Sequence, residues 1–381
     1  MSTRSGLDVL LAERTELVRG RRVGLISNPN GVTSQLESIV DALPRAGAQL
    51  VALFGPEHGI HGDAQAGDHV GTTTDAATGL LVHSLYGDTR RPTPAMLDGV
   101  EVLVFDMQDA GARFYTYLYT MALCMEAAKE VGLPMVVLDR PNPLGGVAVE
   151  GPVVQPDMES FVGRFGIPIR YGLSIGELAR LFNSRGIGCD LTVVPLDGWQ
   201  REWGYEQTGL PWVQPSPNLP TPDSCFAFAG TCLLEGTNVS EGRGTTRPFE
   251  VLGAPWVDAP KLARYLNDRG LPGVRFRACH FTPTFSKWQG EPCHGVQLHV
   301  HDRAAFRPVR TGLEVLVALR RLWPEHFTWL NDGMTANRLI GDRCSRDGIE
   351  NGLDPDIIEL SWSVDLRLYQ AARKRVLEAS G

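Results

Sequence analysis

The sequence has no paired-cysteine motif, no block of basic residues, and no apolar stretch near its start long enough to form a secretion signal or a membrane span. Each absence argues against a class of protein. The seven cysteines, at 124, 189, 225, 232, 279, 293 and 344, are odd in number and nowhere form CxxC, so they fit reduced thiols better than a disulfide framework or a zinc knuckle. A net charge of −8 and an isoelectric point near 5.6, without a Lys/Arg-rich segment, argue against a nucleic-acid partner. The opening MSTRSGLDVLLAERTELVRGRR has a short apolar core that Glu13, Arg14 and Glu16 interrupt, which predicts a chain that neither crosses a membrane nor leaves the cytoplasm as written. The first strand-like run is followed by SNPNGV and not by GxGxxG or a Walker loop, so a nucleotide cofactor lacks its usual phosphate cradle. Internal repeats and low-complexity segments are also missing.

Of 381 residues, 43% are hydrophobic, enough for a large core, and the length favours two domains. In the first half, the short apolar runs RRVGLISN, QLVALFG, GLLVHSLYG, VEVLVFDMQD, PMVVLDRPN and CDLTVVPLDG each end in Gly, Asn or Asp and read as buried parallel strands. Helical segments are expected between them over Ser34–Ala46, Tyr115–Val131 and Ser174–Arg185, the last opening with a Ser174/Glu177 capping box. This alternation predicts an α/β fold, a Rossmann-like doubly wound parallel sheet, over residues 1–205. A Pro-rich stretch, WVQPSPNLPTPDS, changes the texture, and residues 206–381 read as a smaller α+β domain that completes an active-site cleft. Its expected strands are VRFRACHFTPTF and HGVQLHVHD, and its expected helices are Gly312–Leu322 and Asp365–Glu378. Ligands of doubly wound sheets bind beyond the carboxyl ends of the strands, which places Asn28, Glu57, Asp106, Asp109, Asp139 and Asn142 on one rim.

The polar clusters GPEHG, FDMQDAGARFYTY, LDRPNPLGG, PSPNLPT, LLEGTNVSEGRGTTRPFE and KWQGEPCHGVQ occur in this order along the chain. Together they resemble the NamZ-type exo-β-N-acetylmuramidases, glycoside hydrolase family 171, long known only as a domain of unknown function. The resemblance runs from RVGLISNPNGV to the C-terminal helix. It implies a Rossmann-like domain, a smaller second domain, a cleft between them, and release of N-acetylmuramic acid from the non-reducing ends of peptidoglycan fragments during cell-wall turnover, with no metal or organic cofactor. The family's characterised members act on wall material outside the cytoplasm, which stands against the cytoplasmic reading of the N-terminus.

The residues can be argued separately. Glycoside hydrolysis needs a proton donor near the leaving oxygen together with a base, a nucleophile or the substrate's own acetamido group. Glu57, after Phe54, Gly55 and Pro56 at a strand end, is the leading catalytic candidate, against a turn-capping role. Asp106 and Asp109 are the next two, Asp109 being equally able to cap the helix that follows. N-acetylmuramic acid carries a lactyl carboxylate, which a planar guanidinium grips on two oxygens, so Arg113, Arg140 and Arg243 are candidate contacts; each can instead hold a neighbouring Asp. The Gly-punctuated EGTNVSEGRGTT offers Glu235, Asn238 and Glu241 to sugar hydroxyls. Asn28, His58, Gln108, Tyr115, Asn142 and Asn218 complete the expected substrate-binding set. Two rival readings remain: a metal-dependent hydrolase using His58, His61 and Asp63, and a cell-wall sugar binder without catalysis. Pro56, Gly59 and Gly62 break any helix that would align the two histidines as in HExxH, so no metal ligand is assigned.

Overall fold

The computed structural model describes residues 3–379, apart from 63, 66 and 70. Six short runs form the parallel core of one sheet. In chain order the strands of that sheet are β1 (Arg22–Ser27), β2 (Gln49–Gly55), β3 (Thr73–Thr74), β4 (Leu81–Ser84), β5 (Val102–Asp106) and β6 (Met135–Leu138). Two further strands, β7 (Glu150–Val153) and β8 (Pro168–Arg170), pair antiparallel beside it, and β9 (Leu191–Val194) returns to the main sheet. The sheet order is β3-β4-β2-β1-β5-β6-β9, with every pairing parallel except β3 on β4 at the edge. All five residues of β5 are buried, as its unbroken VLVFD pattern requires of a strand covered on both faces. β2 and β5 flank β1, so Glu57 and Asp106 emerge on the same rim.

The expected helices form with shorter ends. Ser174 and Glu177 make the reciprocal capping box that starts Ile175–Phe182. Helix Tyr117–Val131 begins two residues later than expected. The segment expected to be helical from Ser34 becomes so only at Ile39–Arg45. Thr33 accounts for this, because its hydroxyl accepts from the Gln35 and Glu37 amides and offers the backbone a turn in place of a helix.

Beyond the Pro-rich crossing, β10 (Val251–Ala254), β11 (Val274–Phe281) and β12 (Cys293–Val300) form an antiparallel sheet in the order β10-β12-β11. The expected helices appear as Pro308–Leu322 and Ser363–Glu378. Helix Pro222–Thr231, whose PDSCFAFAGT lacks a clear polar face, is an addition to the expected set. It packs closely on Pro308–Leu322: a Cβ on Gly230 would overlap the Pro308 carbonyl, and one on Gly312 would overlap the Gly230 carbonyl. One apolar cluster runs through both halves, from Phe105 and Tyr117 to Phe249, Leu316 and Tyr369. Among the described residues, no helix is long and apolar enough to cross a membrane.

Candidate active site

β2 delivers the chain to Pro56 and Glu57, and His58 then turns it away with a left-handed backbone (φ 72°), a conformation uncommon outside glycine. The Glu57 carboxylate is almost covered and is held at both oxygens: the Thr116 hydroxyl donates to Oε2 at 2.6 Å, and the Gly67 amide donates to Oε1 at 3.0 Å. Thr116 stands at the N-cap position of helix Tyr117–Val131 but makes no side-chain cap, because its hydroxyl is spent on Glu57. The carboxylate therefore lies at the positive end of a helix.

Glu57 forms part of the wall of a cleft of about 380 Å³. From the first half come His58, Tyr86, Tyr115 and Thr116; from the second come Phe228, Glu235, Glu241, Arg243, Phe249 and Lys287. His58 Nδ1 lies 2.8 Å from the Ala64 carbonyl, which places the proton there and leaves Nε2 as the acceptor. Burial lowers the His58 pKa and keeps the ring neutral, with Glu57 acting in the opposite direction. Tyr86 stays a hydroxyl donor, its pKa pushed up to about 12 by burial and then by the negative charge of Glu57.

Across the cleft, Arg243 is gripped by Glu235 (Nη2–Oε1 2.7 Å, Nε–Oε1 3.1 Å), lies 3.4 Å from Glu241, and sits over the Phe249 ring. Burial works against its charge, but the two glutamates outweigh it and hold its pKa above the ordinary value. Its Nη1 is buried with no hydrogen-bond partner. Lys287 differs: its ammonium donates to Leu234 O (2.8 Å), Val239 O (2.9 Å) and Glu241 Oε2 (2.8 Å), so all three protons are engaged. Arg243 is thus a cation in the cleft wall with a donor to spare.

The expected site residues divide between the cleft and the layer beneath it. Glu57, His58, Tyr115, Glu235, Glu241 and Arg243 form part of the cleft wall. Asn218 lies at its margin, where its amide donates to Gln65 at 3.3 Å. Asp106 and Arg140 do not reach the cleft; they form a sealed ion pair, at 2.5 and 2.8 Å, with Asp106 wholly buried. Arg113 is also wholly buried, and its guanidinium donates to the carbonyls of Pro152, Ile167, Leu339 and Ile340, tying the first half to a segment more than 220 residues away. Asp109 accepts from the Gly111 amide through one oxygen, has no partner on the other, and is driven by burial to a pKa of about 7. Asn28 donates to the Tyr117 hydroxyl, Gln108 to two carbonyls, Asn142 to Leu173 O and Asn238 to His326 O, so each braces backbone or a neighbouring side chain. Asp139, also placed on the rim, binds the Gly176 amide and Ser174 hydroxyl.

Tyr86, Thr116 and Lys287 are cleft residues that the sequence reading did not name. Tyr86 carried a signal, since it follows β4 at the same rim. Lys287 lay within a quoted motif, but its partner Glu241 is 46 residues away. Thr116 carried none, because a Thr before a helix ordinarily caps it. His58 turns to Ala64, and His61 lies 3.7 Å from Asp75. Asp63 lies outside the described residues, and among those described no group of three metal-ligating side chains comes together.

Family models place this architecture. Residues 23–223 match the N-terminal domain model of the exo-β-N-acetylmuramidase NamZ, and residues 226–378 match its C-terminal domain model. The chain belongs to the NamZ family. It is 52% identical over 375 residues to the peptidoglycan β-N-acetylmuramidase NamZ of Bacillus subtilis (strain 168), covering 98% of this chain and 90% of that one. Two solved structures of DUF1343 family proteins from Bacteroides fragilis NCTC 9343 share the NamZ-family fold. BF0371 matches at 38% identity with a TM-score of 0.91, covering 98% of each chain. BF0379 matches at 28% identity with a TM-score of 0.78, covering 99% of this chain and 98% of that one.

Proposed function

We propose that this chain is an exo-β-N-acetylmuramidase that removes N-acetylmuramic acid from the non-reducing ends of peptidoglycan fragments, with Glu57 as the carboxyl group that acts directly in bond cleavage. The observation that carries this reading is one cleft holding both a carboxyl group pinned at its two oxygens and, in the opposite wall, an arginine with a buried, unused donor. Glu57 is oriented before substrate arrives, so little has to be reorganised as the bond breaks. The free Nη1 of Arg243 suits the lactyl carboxylate that distinguishes a muramyl sugar, because leaving that donor unmet in a buried site is costly. Phe228, Phe249, Tyr86 and Tyr115 give the sugar's C–H face flat apolar surfaces. The cleft volume lies at the low end of small-molecule sites, which favours a terminal sugar over a long glycan. Residues from 206 onward supply Glu235, Glu241, Arg243 and Lys287, and on this reading they serve to complete the cleft.

The direct test is incubation with the disaccharide N-acetylmuramyl-β-1,4-N-acetylglucosamine. Free N-acetylmuramic acid is expected as a product. Ligand retention with no product release would make the protein a binder.

A further inference from the structure

Ten large apolar side chains are exposed among the described residues, and five of them, Leu353, Ile357, Leu360, Val364 and Leu368, fall within sixteen residues of one another. They lie on or just before helices Pro355–Ser361 and Ser363–Glu378, which meet at Trp362, itself right-handed helical (φ −78°, ψ −14°). Helical phase therefore carries across the junction. Ile357, Leu360, Val364 and Leu368 are spaced by three, four and four residues, so they form one stripe, and Ser361 and Ala371 are small exposed members of the same face. A second stripe is already used. Ile358, Trp362, Tyr369 and Val376 are buried against the body; the Trp362 indole donates to Ser345 at 2.8 Å and the Tyr369 hydroxyl to the Tyr171 carbonyl at 2.7 Å. At 3.6 residues per turn the two stripes lie roughly a third of a turn apart. One apolar stripe is enough to dock a surface helix on its own fold, so a second, solvent-facing stripe calls for a second partner.

We propose that this stripe pairs with the same stripe of a second copy, antiparallel about a twofold axis, to form a homodimer. The charges at its ends select that partner and that direction. Asp354 and Asp356 stand exposed at the amino end, while Arg367, Lys374 and Arg375 stand exposed towards the carboxyl end. Asp356 is bonded to Arg310 of its own chain yet keeps most of its side chain in solvent. Lys374 reaches only Glu378, at 3.7 Å, and Arg367 and Arg375 have no acidic partner among the described residues. Helical phase puts Asp356, Arg367 and Lys374 on the same flank. An antiparallel twofold sets each copy's acidic end beside the other's basic end, whereas a parallel pairing would set like against like. An anionic membrane, the other surface that attracts apolar stripes with basic ends, would be repelled by the acidic end.

The test is sedimentation equilibrium of the full chain over a range of concentrations, and the expected species is a dimer. Leu360→Glu with Leu368→Glu should raise the dimer dissociation constant at least about a hundredfold, while helix content and turnover per chain stay at parent values, since both side chains are exposed and neither lines the cleft. Lys374→Glu should weaken the dimer by about tenfold, with the difference shrinking at high salt. A monomer at every concentration overturns the proposal. So does a dimer that survives the double substitution, or binding to phosphatidylglycerol vesicles without self-association.

Discussion

Two assemblies of acid and arginine face the same end of the main sheet. Asp106 and Arg140 are shut beneath the rim, bonded to each other at 2.5 and 2.8 Å, with Arg140 reaching also to Val32 O. Glu235, Glu241 and Arg243 face the cleft, and there the arginine keeps one donor unspent. In the first, both carboxylate oxygens of Asp106 are met by the guanidinium, and in the second a buried arginine donor is left open to the cleft. A closed buried pair is a structural joint, whereas an unpaired buried donor in the wall of a cleft stands where a ligand can meet it. Motif membership did not separate the two; a place in the cleft wall does.

The largest expected effect tests the cleft side. Glu57→Gln keeps the size and the hydrogen bond from Gly67 while removing the charge and the acid–base capacity, so turnover should fall by about a hundred- to ten-thousand-fold, with melting temperature near the parent value. Near-normal turnover would reduce Glu57 to a turn residue. The opposite pattern is expected beneath the rim. Arg140→Ala leaves the buried Asp106 carboxyl without its partner and should cost about 3–5 kcal/mol in denaturant unfolding, while turnover per folded molecule changes little. If turnover collapses with no loss of stability, the two regions have been assigned the wrong way round.

Arg243→Lys sharpens the contrast within the cleft. Lysine cannot present the planar fork, so activity on a β-muramide should drop by about tenfold or more relative to the matching β-N-acetylglucosaminide. An equal loss on both substrates would detach Arg243 from the lactyl group. A smaller effect concerns Asp109, whose pKa burial raises from an ordinary 3.8 to about 7. The folded state then binds the proton more tightly than the unfolded state. The group's contribution is most favourable below about pH 4 and is lost as pH rises towards 7. Asp109→Asn should therefore gain stability over the parent at pH 8 compared with pH 5, by about 1 kcal/mol or more. An identical difference at both pH values would mean that the carboxyl is not desolvated in the fold. The smallest expected effect is none: activity should survive exhaustive treatment with EDTA, and loss followed by rescue with zinc would restore the reading built on His58 and His61.

Much of the sheet was legible because strands inside a parallel sheet are mostly apolar, and the six runs that become β1, β2, β4, β5, β6 and β9 announce themselves. The capping box at Ser174 was legible because both partners lie three residues apart. Helix Pro222–Thr231 was not, since a helix buried on all sides shows no periodic polar face. Glu57 could be chosen from its place at a strand end, whereas Thr116 could not be connected to it across 59 residues.

Local pattern, then, was enough to set the fold class, the rim and the residue types available for chemistry, because periodicity, caps and turns depend on neighbours in the chain. Only the tertiary structure decided which rim residues meet solvent. Arg113, Arg140 and Arg243 look alike in their motifs. Arg113 became a brace between distant segments, Arg140 a sealed partner of Asp106, and Arg243 the arginine in the cleft wall with a free donor. The physical reason is that burial and hydrogen-bond closure are set by groups brought together from far apart, here residues 57, 116, 243 and 287, and no short stretch of sequence records those distances.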